Sequence, residues 1–203
     1  PLAGGSWQQV SQATTTSLWP NPADDIATQA GIAAVLDRTS VLVTSDGGLT
    51  TARHAIPCTQ PGVAEPTSVA VIAPNRLALL CAGPGAMGHT DKTVYLSSNL
   101  GASWVKAGTP FSSGDGGLLA AAGSAQLVIA TASAVSWVYY SGDGAAHWQS
   151  AVTVNDGGQG WADLGFTTPT DGVVIEGPAL GSGRAGRLLF TGDGGQTWQP
   201  VSF

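Results

Sequence analysis

The stretch Thr191-Gly192-Asp193-Gly194-Gly195-Gln196-Thr197-Trp198 is one of four similar segments in this 203-residue chain. The other three are residues 44–51, 97–104 and 141–148, and together the segments share the pattern Ser/Thr-x-Asp-x-Gly-x-Thr-Trp. The pattern recurs at intervals of roughly 44 to 53 residues, the size of a unit of four short strands. The sequence therefore predicts an all-β fold built from four repeated sheets.

The physical basis of the motif is local. Each copy follows a short apolar run, and a tight hairpin after such a strand needs glycine where φ is positive. The Asp carboxylate accepts hydrogen bonds from the backbone of its own turn, and the Trp packs over the turn. We therefore assign a structural role to the motif residues Asp46, Gly48, Asn99, Gly101, Trp104, Asp143, Trp148, Asp193, Gly195 and Trp198.

These residues make the chain resemble the Asp-box (BNR) repeat family of β-propellers. The blades look most similar to those of photosystem II assembly-factor-like proteins and of sialidase-like secreted proteins. The resemblance implies a β-propeller in which the motif residues are structural and lie at the periphery, away from any site of chemistry. It predicts the fold and leaves the function open.

Three copies depart from the family pattern. Thr51 stands in place of Trp in the first copy, Asn99 in place of Asp in the second and Ala145 in place of Gly in the third. We expect these changes to weaken individual turns without altering the fold.

The repeats predict a single propeller domain over residues 1–203 with four full blades. A further outer strand is predicted at residues 1–10, because Ser6-Trp7 resembles the end of a motif. This strand leaves open whether the propeller has a partial fifth blade or is part of a longer one. The predicted blades span approximately residues 11–57, 62–110, 115–154 and 157–203.

Composition restricts the classes of partner. The net charge is -6 and only 10% of the residues are charged, so no basic stripe is present to neutralise phosphates and nucleic-acid binding is disfavoured. No apolar run has the roughly 20 residues of a transmembrane helix, so we expect no transmembrane segment. The sequence contains no zinc-binding spacing, phosphate-binding loop or nucleophile elbow, and no cofactor is expected apart from a calcium ion.

The two cysteines, Cys58 and Cys81, are predicted to form a disulfide. They lack the C-x-x-C spacing of redox or metal sites, and the alternative is a pair of buried free thiols. Disulfides persist outside the cytosol. We therefore expect an extracellular or cell-surface protein.

One face of the predicted propeller collects acidic residues. The motif turns lie on one face, so the connections between blades and the loops between second and third strands lie on the other. Such acids also occur simply because Asp favours turns, which is the alternative interpretation. The candidate binding residues on this face are Asp24, Asp25, Glu65, His89, Asp91, Asp115, Trp137, Asp156, Arg184 and Arg187.

Three functions are compatible with this sequence. The favoured one is a secreted or surface-exposed, non-catalytic binding or scaffold module that presents propeller loops to a protein or glycan partner. The second is a sialidase-like glycoside hydrolase, which needs converging carboxylates and a cluster of arginines. The third, implied by the resemblance alone, is an assembly factor for a membrane complex, for which Arg38, Arg53 and Arg76 are the candidate basic patch.

Overall fold

The computed structural model describes residues 25–58, 65–108, 112–157, 159–177 and 186–202. Within these ranges every regular element is a β-strand. Sheet 1 contains β1 (Asp25–Gln29), β2 (Ile32–Leu36), β3 (Ser40–Thr44) and β4 (Ala52–Ala55). Sheet 2 contains β5 (Glu65–Ala73), β6 (Arg76–Ala86), β7 (His89–Ser97) and β8 (Val105–Gly108).

The second half of the chain repeats this arrangement. Sheet 3 contains β9 (Asp115–Ala121), β10 (Leu127–Ala132), β11 (Ser136–Ser141) and β12 (Gln149–Val154). Sheet 4 contains β13 (Trp161–Phe166), β14 (Gly172–Glu176), β15 (Leu188–Thr191) and β16 (Gln199–Pro200). In each sheet, strands that follow one another in the chain pair antiparallel. The four sheets form a four-bladed β-propeller, which confirms the predicted fold class.

Apolar contacts between consecutive sheets form the core. The first strands of neighbouring sheets meet, β1 with β5, β5 with β9 and β9 with β13. One cluster of buried side chains lies between sheets 1 and 2, another between sheets 2 and 3 and a third between sheets 3 and 4. Because each sheet is covered on both faces in the middle of the array, strands such as β6 and β10 read as continuous apolar runs.

Each of the four motif segments forms the turn between the third and fourth strands of its sheet. In the last copy Thr191 Oγ1 donates to Asp193 Oδ1 at 2.8 Å, and Gly195 N donates to Thr191 Oγ1 at 2.9 Å. Thr197 N donates to Asp193 Oδ1 at 2.9 Å. The other three copies repeat this pattern of bonds. The motif therefore closes its own turn and satisfies backbone groups that a hairpin end would otherwise leave unpaired.

The departures from the motif are accommodated by small changes. The Asn99 amide Nδ2 donates to Ser103 Oγ at 2.9 Å, whereas Thr197 Oγ1 donates to the Asp193 carboxylate at 2.6 Å, so the direction of this bond is reversed. Ala145 keeps the turn at a φ of 71°, a left-handed conformation that costs a non-glycine residue roughly 1–2 kcal/mol. Its methyl group is buried between sheets 2 and 3, which offsets part of that cost.

The motif tryptophans fill the spaces between sheets. Trp104 packs against the cluster between sheets 1 and 2, Trp148 against the cluster between sheets 2 and 3, and Trp198 lies within the cluster between sheets 3 and 4. Trp198 Nε1 donates to Gly195 O at 3.0 Å. Thr51, which replaces Trp in the first copy, is exposed.

The predicted disulfide is confirmed. Cys58, which follows β4, is bonded to Cys81 in β6, and their Cα atoms are 5.9 Å apart. Both cysteines are buried in the cluster between sheets 1 and 2. The bond therefore ties the connection between the first two sheets to the second strand of sheet 2. The predicted outer strand at residues 1–10 lies outside the described residues.

The motif glycines differ in the space around them, and this generates the first prediction. Gly195 has a φ of 97°, and a β-carbon there would lie 2.5 Å from Val128 Cγ2 in the neighbouring sheet. Gly48 has a φ of 91° but nothing within 4 Å of the same position. We expect Gly48→Ala to lower the free energy of unfolding by about 1–2 kcal/mol through backbone strain. Gly195→Ala should cost about 1–3 kcal/mol more, because the clash adds to the strain.

The comparison needs only urea denaturation of the two alanine variants and of the wild type. Equal losses for both variants would mean that the intersheet contact at Gly195 does not determine the cost.

The second prediction concerns the disulfide. The bond joins residues 23 apart in sequence, and a loop of this size is worth about 3 kcal/mol in the chain-entropy description. We expect the double variant Cys58→Ser/Cys81→Ser to lose about that much stability in urea denaturation. Wild type treated with a reductant should unfold at the variant's midpoint. A reductant that shifts the midpoint of the double variant as well would show that the loss does not come from the disulfide.

Candidate functional site

The antiparallel order of the strands gives the propeller two chemically different faces. The motif turns and the hairpins between first and second strands lie on one face, which we call the motif face. Backbone hydrogen bonds join these two sets of turns. Leu100 N donates to Asn75 O at 3.1 Å, and Gly194 N donates to Thr170 O at 2.9 Å. The connections between sheets and the loops between second and third strands lie on the opposite face, which we call the junction face.

The motif carboxylates accept hydrogen bonds from groups of their own turns. Hydrogen bonds from Thr50 lower the pKa of Asp46 to about 2, and hydrogen bonds from His147 lower the pKa of Asp143 to about 2. Groups with such low pKa values carry no proton near neutral pH and are unsuited to general acid catalysis. The motif acids therefore act as turn-forming groups.

A long hairpin arm projects from sheet 2 on the junction face. β6 and β7 extend beyond the strands of the other sheets, and their pairing continues to Ala86 opposite His89. Met87 at the tip of this arm is 99% exposed. In the sequence the apolar run of β6 extends only from Leu77 to Cys81. Gly83, Gly85 and Gly88 obscured the continuation, because glycine in a strand is read as a break.

The arm reaches sheet 3 and brings two candidate residues together. The ring centres of His89 and Trp137 are 6.4 Å apart, with the planes tilted by 48°. Gly114 N donates to His89 Nδ1 at 3.1 Å, and Thr90 N donates to Gly114 O at 3.0 Å. His89 is thus held between the connection that precedes β9 and the third strand of sheet 3, and it remains exposed.

Lys92 lies beneath the arm and was not among the predicted site residues. Its side chain is fully buried, and Nζ donates to Ser113 O at 2.7 Å, Gly114 O at 2.9 Å and Thr90 O at 3.2 Å. Burial lowers the pKa of Lys92 to about 8, although the charges of Asp115 and Asp91 act in the opposite direction. Lysines are mostly exposed, so nothing in the sequence marked this one as internal.

The acids nearest the arm stay accessible. Asp91 follows His89 in β7, and Asp115 begins β9; both side chains are exposed and both interact electrostatically with Lys92. With His89, Trp137 and Met87 they make up the part of the junction face at the arm and its base. We call these five residues the arm patch.

Three further candidates on the junction face are taken up by structural contacts. Asp156 is buried and accepts a hydrogen bond from Ser136 Oγ, while Arg187 pairs with the buried Glu176. Asp25 Oδ2 accepts from Ser68 Oγ at 2.7 Å and so links β1 to β5.

Other candidates lie apart from the arm patch or are not described. Glu65 is exposed at the start of β5. Asp24 and Arg184 lie outside the described residues.

Among the described residues, the arginines that a sialidase-like site requires do not converge. Arg76 donates to Ser124 O on the motif face, whereas Arg187 lies on the junction face. Arg53 pairs with Asp37 at 2.5 Å. Tyr95, Tyr139 and Tyr140 lie in the third strands of sheets 2 and 3, outside the arm patch.

Neither a metal cluster nor a membrane-spanning helix is found in the part of the chain that the structure describes. No three His, Cys, Asp or Glu side chains there come together as a group that could hold a metal ion. Across the same residues no helix is long and apolar enough to cross a membrane.

The third prediction follows from the buried lysine. Lys92 titrates at its ordinary value of 10.5 in the unfolded chain and at about 8 in the folded one. Between these values the unfolded chain binds more protons, so this group makes the free energy of unfolding rise with pH. We expect the wild type to gain roughly 3 kcal/mol relative to Lys92→Met across that window.

Urea denaturation of both proteins at several pH values measures this gain. Subtracting the unfolding free energy of the variant from that of the wild type cancels the contribution of the titratable groups that both proteins share. Parallel stability profiles from pH 8 upward would contradict the prediction.

Comparison with known proteins gives a likeness in fold. No protein-family model matches the chain, and no curated protein matches it. Among solved structures, YCF48 from Cyanidioschyzon merolae superposes with a TM-score of 0.58 at 17% identity, over 98% of this chain and 61% of that one.

Two further solved structures share the fold at lower coverage. Trypanosoma rangeli sialidase in complex with 2,3-difluorosialic acid gives a TM-score of 0.54 at 15% identity, over 88% of this chain and 37% of that one. Porphyromonas gingivalis dipeptidyl peptidase 4 gives a TM-score of 0.53 at 9% identity, over 85% of this chain and 31% of that one. The chain therefore spans less than two thirds of each of these three proteins. At such identities the likeness concerns the propeller fold alone.

Proposed function

We propose that this chain is a non-catalytic binding module that acts outside the cytoplasm and engages a protein partner through the arm patch. The observation that carries the proposal is the arm itself. A fully exposed methionine sits at the tip of a hairpin that is anchored, through His89 and Thr90, on the neighbouring sheet. Exposed methionine on a supported loop is typical of surfaces that bind other proteins.

The chemistry of the patch favours a partner segment that is basic and apolar. Asp91 and Asp115 are exposed beside the His89–Trp137 pair, and the chain as a whole has a net charge of -6. Carboxylates attract Lys and Arg, and the face of Trp137 can receive a cation or an apolar side chain. A protein partner uses all of these groups, whereas a glycan would use chiefly the Trp137 ring and the carboxylates.

The extracytoplasmic location rests on the disulfide. A buried bond between Cys58 and Cys81 is stable in oxidising compartments and is rare in the cytosol.

The glycoside hydrolase and the assembly factor have less support. The hydrolase needs arginines that converge, and Arg76 and Arg187 lie on opposite faces. The assembly factor needs a basic patch, and Arg53 is paired with Asp37 while Arg76 donates to a backbone carbonyl.

The fourth prediction is tested by selecting binders from a displayed peptide library on the immobilised wild-type chain. We expect the selected peptides to be rich in Lys, Arg and apolar residues, and to bind more weakly as salt is added. Met87→Ser and Asp91→Asn should each weaken binding about tenfold, which corresponds to roughly 1.4 kcal/mol.

Leu49→Ser is the matched control, because Leu49 is 80% exposed on a motif turn, at the opposite face. Peptides whose binding is lost with Leu49→Ser and kept with Met87→Ser would place the binding surface on the motif face and overturn the proposal. A glycan array probed with the same proteins tests the other partner class, and a glycan whose binding depends on Trp137 would replace the protein partner.

A further inference from the structure

The sulfur atoms of this chain lie in two different environments. Met87 is the only methionine among the 203 residues, and Cys58 and Cys81 are the only two cysteines. Both cysteines are buried and joined in the disulfide, so no thiol is left. Oxidation of sulfur in proteins follows exposure, and an exposed thioether is readily converted to the sulfoxide. Met87 is therefore the one sulfur of the chain that is open to a mild oxidant.

The surroundings of Met87 leave its side chain unshielded. The residue is 99% exposed at the tip of the arm. Its neighbours in the chain are Gly85, Ala86 and Gly88, which carry at most a methyl group. A small oxidant in solution can therefore reach the Met87 thioether as easily as in a short peptide.

The turn at the tip holds Met87 in a defined place although methionine does not suit the turn. Met87 has a φ of 54° and Gly88 a φ of 78°, the pattern of a two-residue hairpin loop that favours Asn-Gly. The left-handed conformation costs a residue such as methionine roughly 1–2 kcal/mol. A β-carbon on Gly88 would lie 3.3 Å from Ser133 Cβ, so the turn rests on the loop between β10 and β11 of sheet 3. Turn formation alone thus gives no reason for a methionine here.

Oxidation of this chain at sulfur is confined to the arm. The three clusters between the sheets contain no methionine, so their packing holds no thioether that a sulfoxide could disrupt. At Met87 the added oxygen converts an apolar side chain into a polar one. The change occurs in the arm patch, beside Asp91 and the His89–Trp137 pair, and leaves the frame of four sheets as it is.

We propose that Met87 is a reversible oxidation site, at which a peroxide lowers the affinity of the arm patch for its partner. The inference rests on the proposed binding function of that patch. The sulfur lone pair attacks one oxygen of hydrogen peroxide, the O–O bond breaks and a bond from sulfur to oxygen forms. The departing hydroxide takes the proton from the transferred oxygen and leaves as water, so the sulfur is oxidised and the peroxide is reduced. A methionine sulfoxide reductase restores the thioether.

The fifth prediction is tested first on the modification itself, with the full 203-residue chain and hydrogen peroxide. Intact mass and peptide mapping should show a single added oxygen, located on Met87. It should appear at the rate found for a synthetic peptide of residues 84–91, because the folded protein does not shield the side chain. The urea midpoint of the oxidised chain should equal that of the untreated chain. Oxidation much slower than in the peptide would overturn the proposal.

The effect on binding is measured with the library peptides, restricted to those without Met or Cys, after the peroxide has been removed. We expect the oxidised chain to bind about tenfold more weakly than the untreated one, and to recover after treatment with methionine sulfoxide reductase. Met87→Leu has an apolar side chain without sulfur, so its affinity, whatever its starting value, should be the same before and after peroxide. Leu49→Ser, altered on the motif face, should respond to peroxide as the wild type does.

The outcomes separate this inference from the function on which it rests. If Met87→Ser weakens binding and complete oxidation of the wild type does not, the oxidation site is overturned and the binding function stands. A loss of affinity in peroxide-treated Met87→Leu would assign the effect to another group and overturn the inference as well. Peptides that bind the untreated chain independently of Met87 and Asp91 would refute the proposed function before any peroxide is added, and the regulation would fall with it.

Discussion

The need of each sheet to cover two apolar faces governs this structure. A single four-stranded sheet with buried residues on both sides cannot exist alone in water, because its stability comes from burying those side chains. Leu77, Leu79 and Leu80 in β6 show this directly, since residues that alternate between opposite faces are all fully buried. Stacking therefore determines the order of the sheets and the position of the motif tryptophans between them.

The sequence predicted what depends on local turn chemistry. The motif spacing indicated four sheets, and the pattern around Asp193 indicated the bonds that its carboxylate makes, because donor and acceptor lie within a few residues. Contacts between sheets were not predictable in the same way. The bond from Ser68 to Asp25 joins residues 43 apart, and it depends on the register between two sheets, which one sequence does not specify. The pairing of Cys58 with Cys81 was predictable only because the chain has no other cysteine.

The sequence predicted which face of the propeller holds the candidate residues, and it did not predict which of them lie close together. Topology alone placed His89, Asp91, Asp115 and Trp137 on the junction face, since antiparallel strands alternate their loops between two ends. It gave no reason to separate them from Asp156, which is buried against Ser136. That separation depends on which carboxylates find a hydrogen-bond donor inside the protein, since a buried charge without one is costly.

The arm patch arises where the repeat is broken. Sheets 1 and 3 turn from their second to their third strand within a few residues, whereas the loop of sheet 2 is continued as a paired hairpin. The extension would be unstable as an isolated two-stranded ribbon, because such a hairpin buries little apolar surface. It is held instead by Lys92, which binds the carbonyls of Ser113 and Gly114 from below, and by the contact of His89 with Gly114 N. A fully buried lysine with a lowered pKa is a costly anchor, and the chain retains it at the base of the one loop that carries an exposed methionine. The repeated part of the sequence thus builds the frame of four sheets, and the irregular part adds to it the exposed groups of the arm patch.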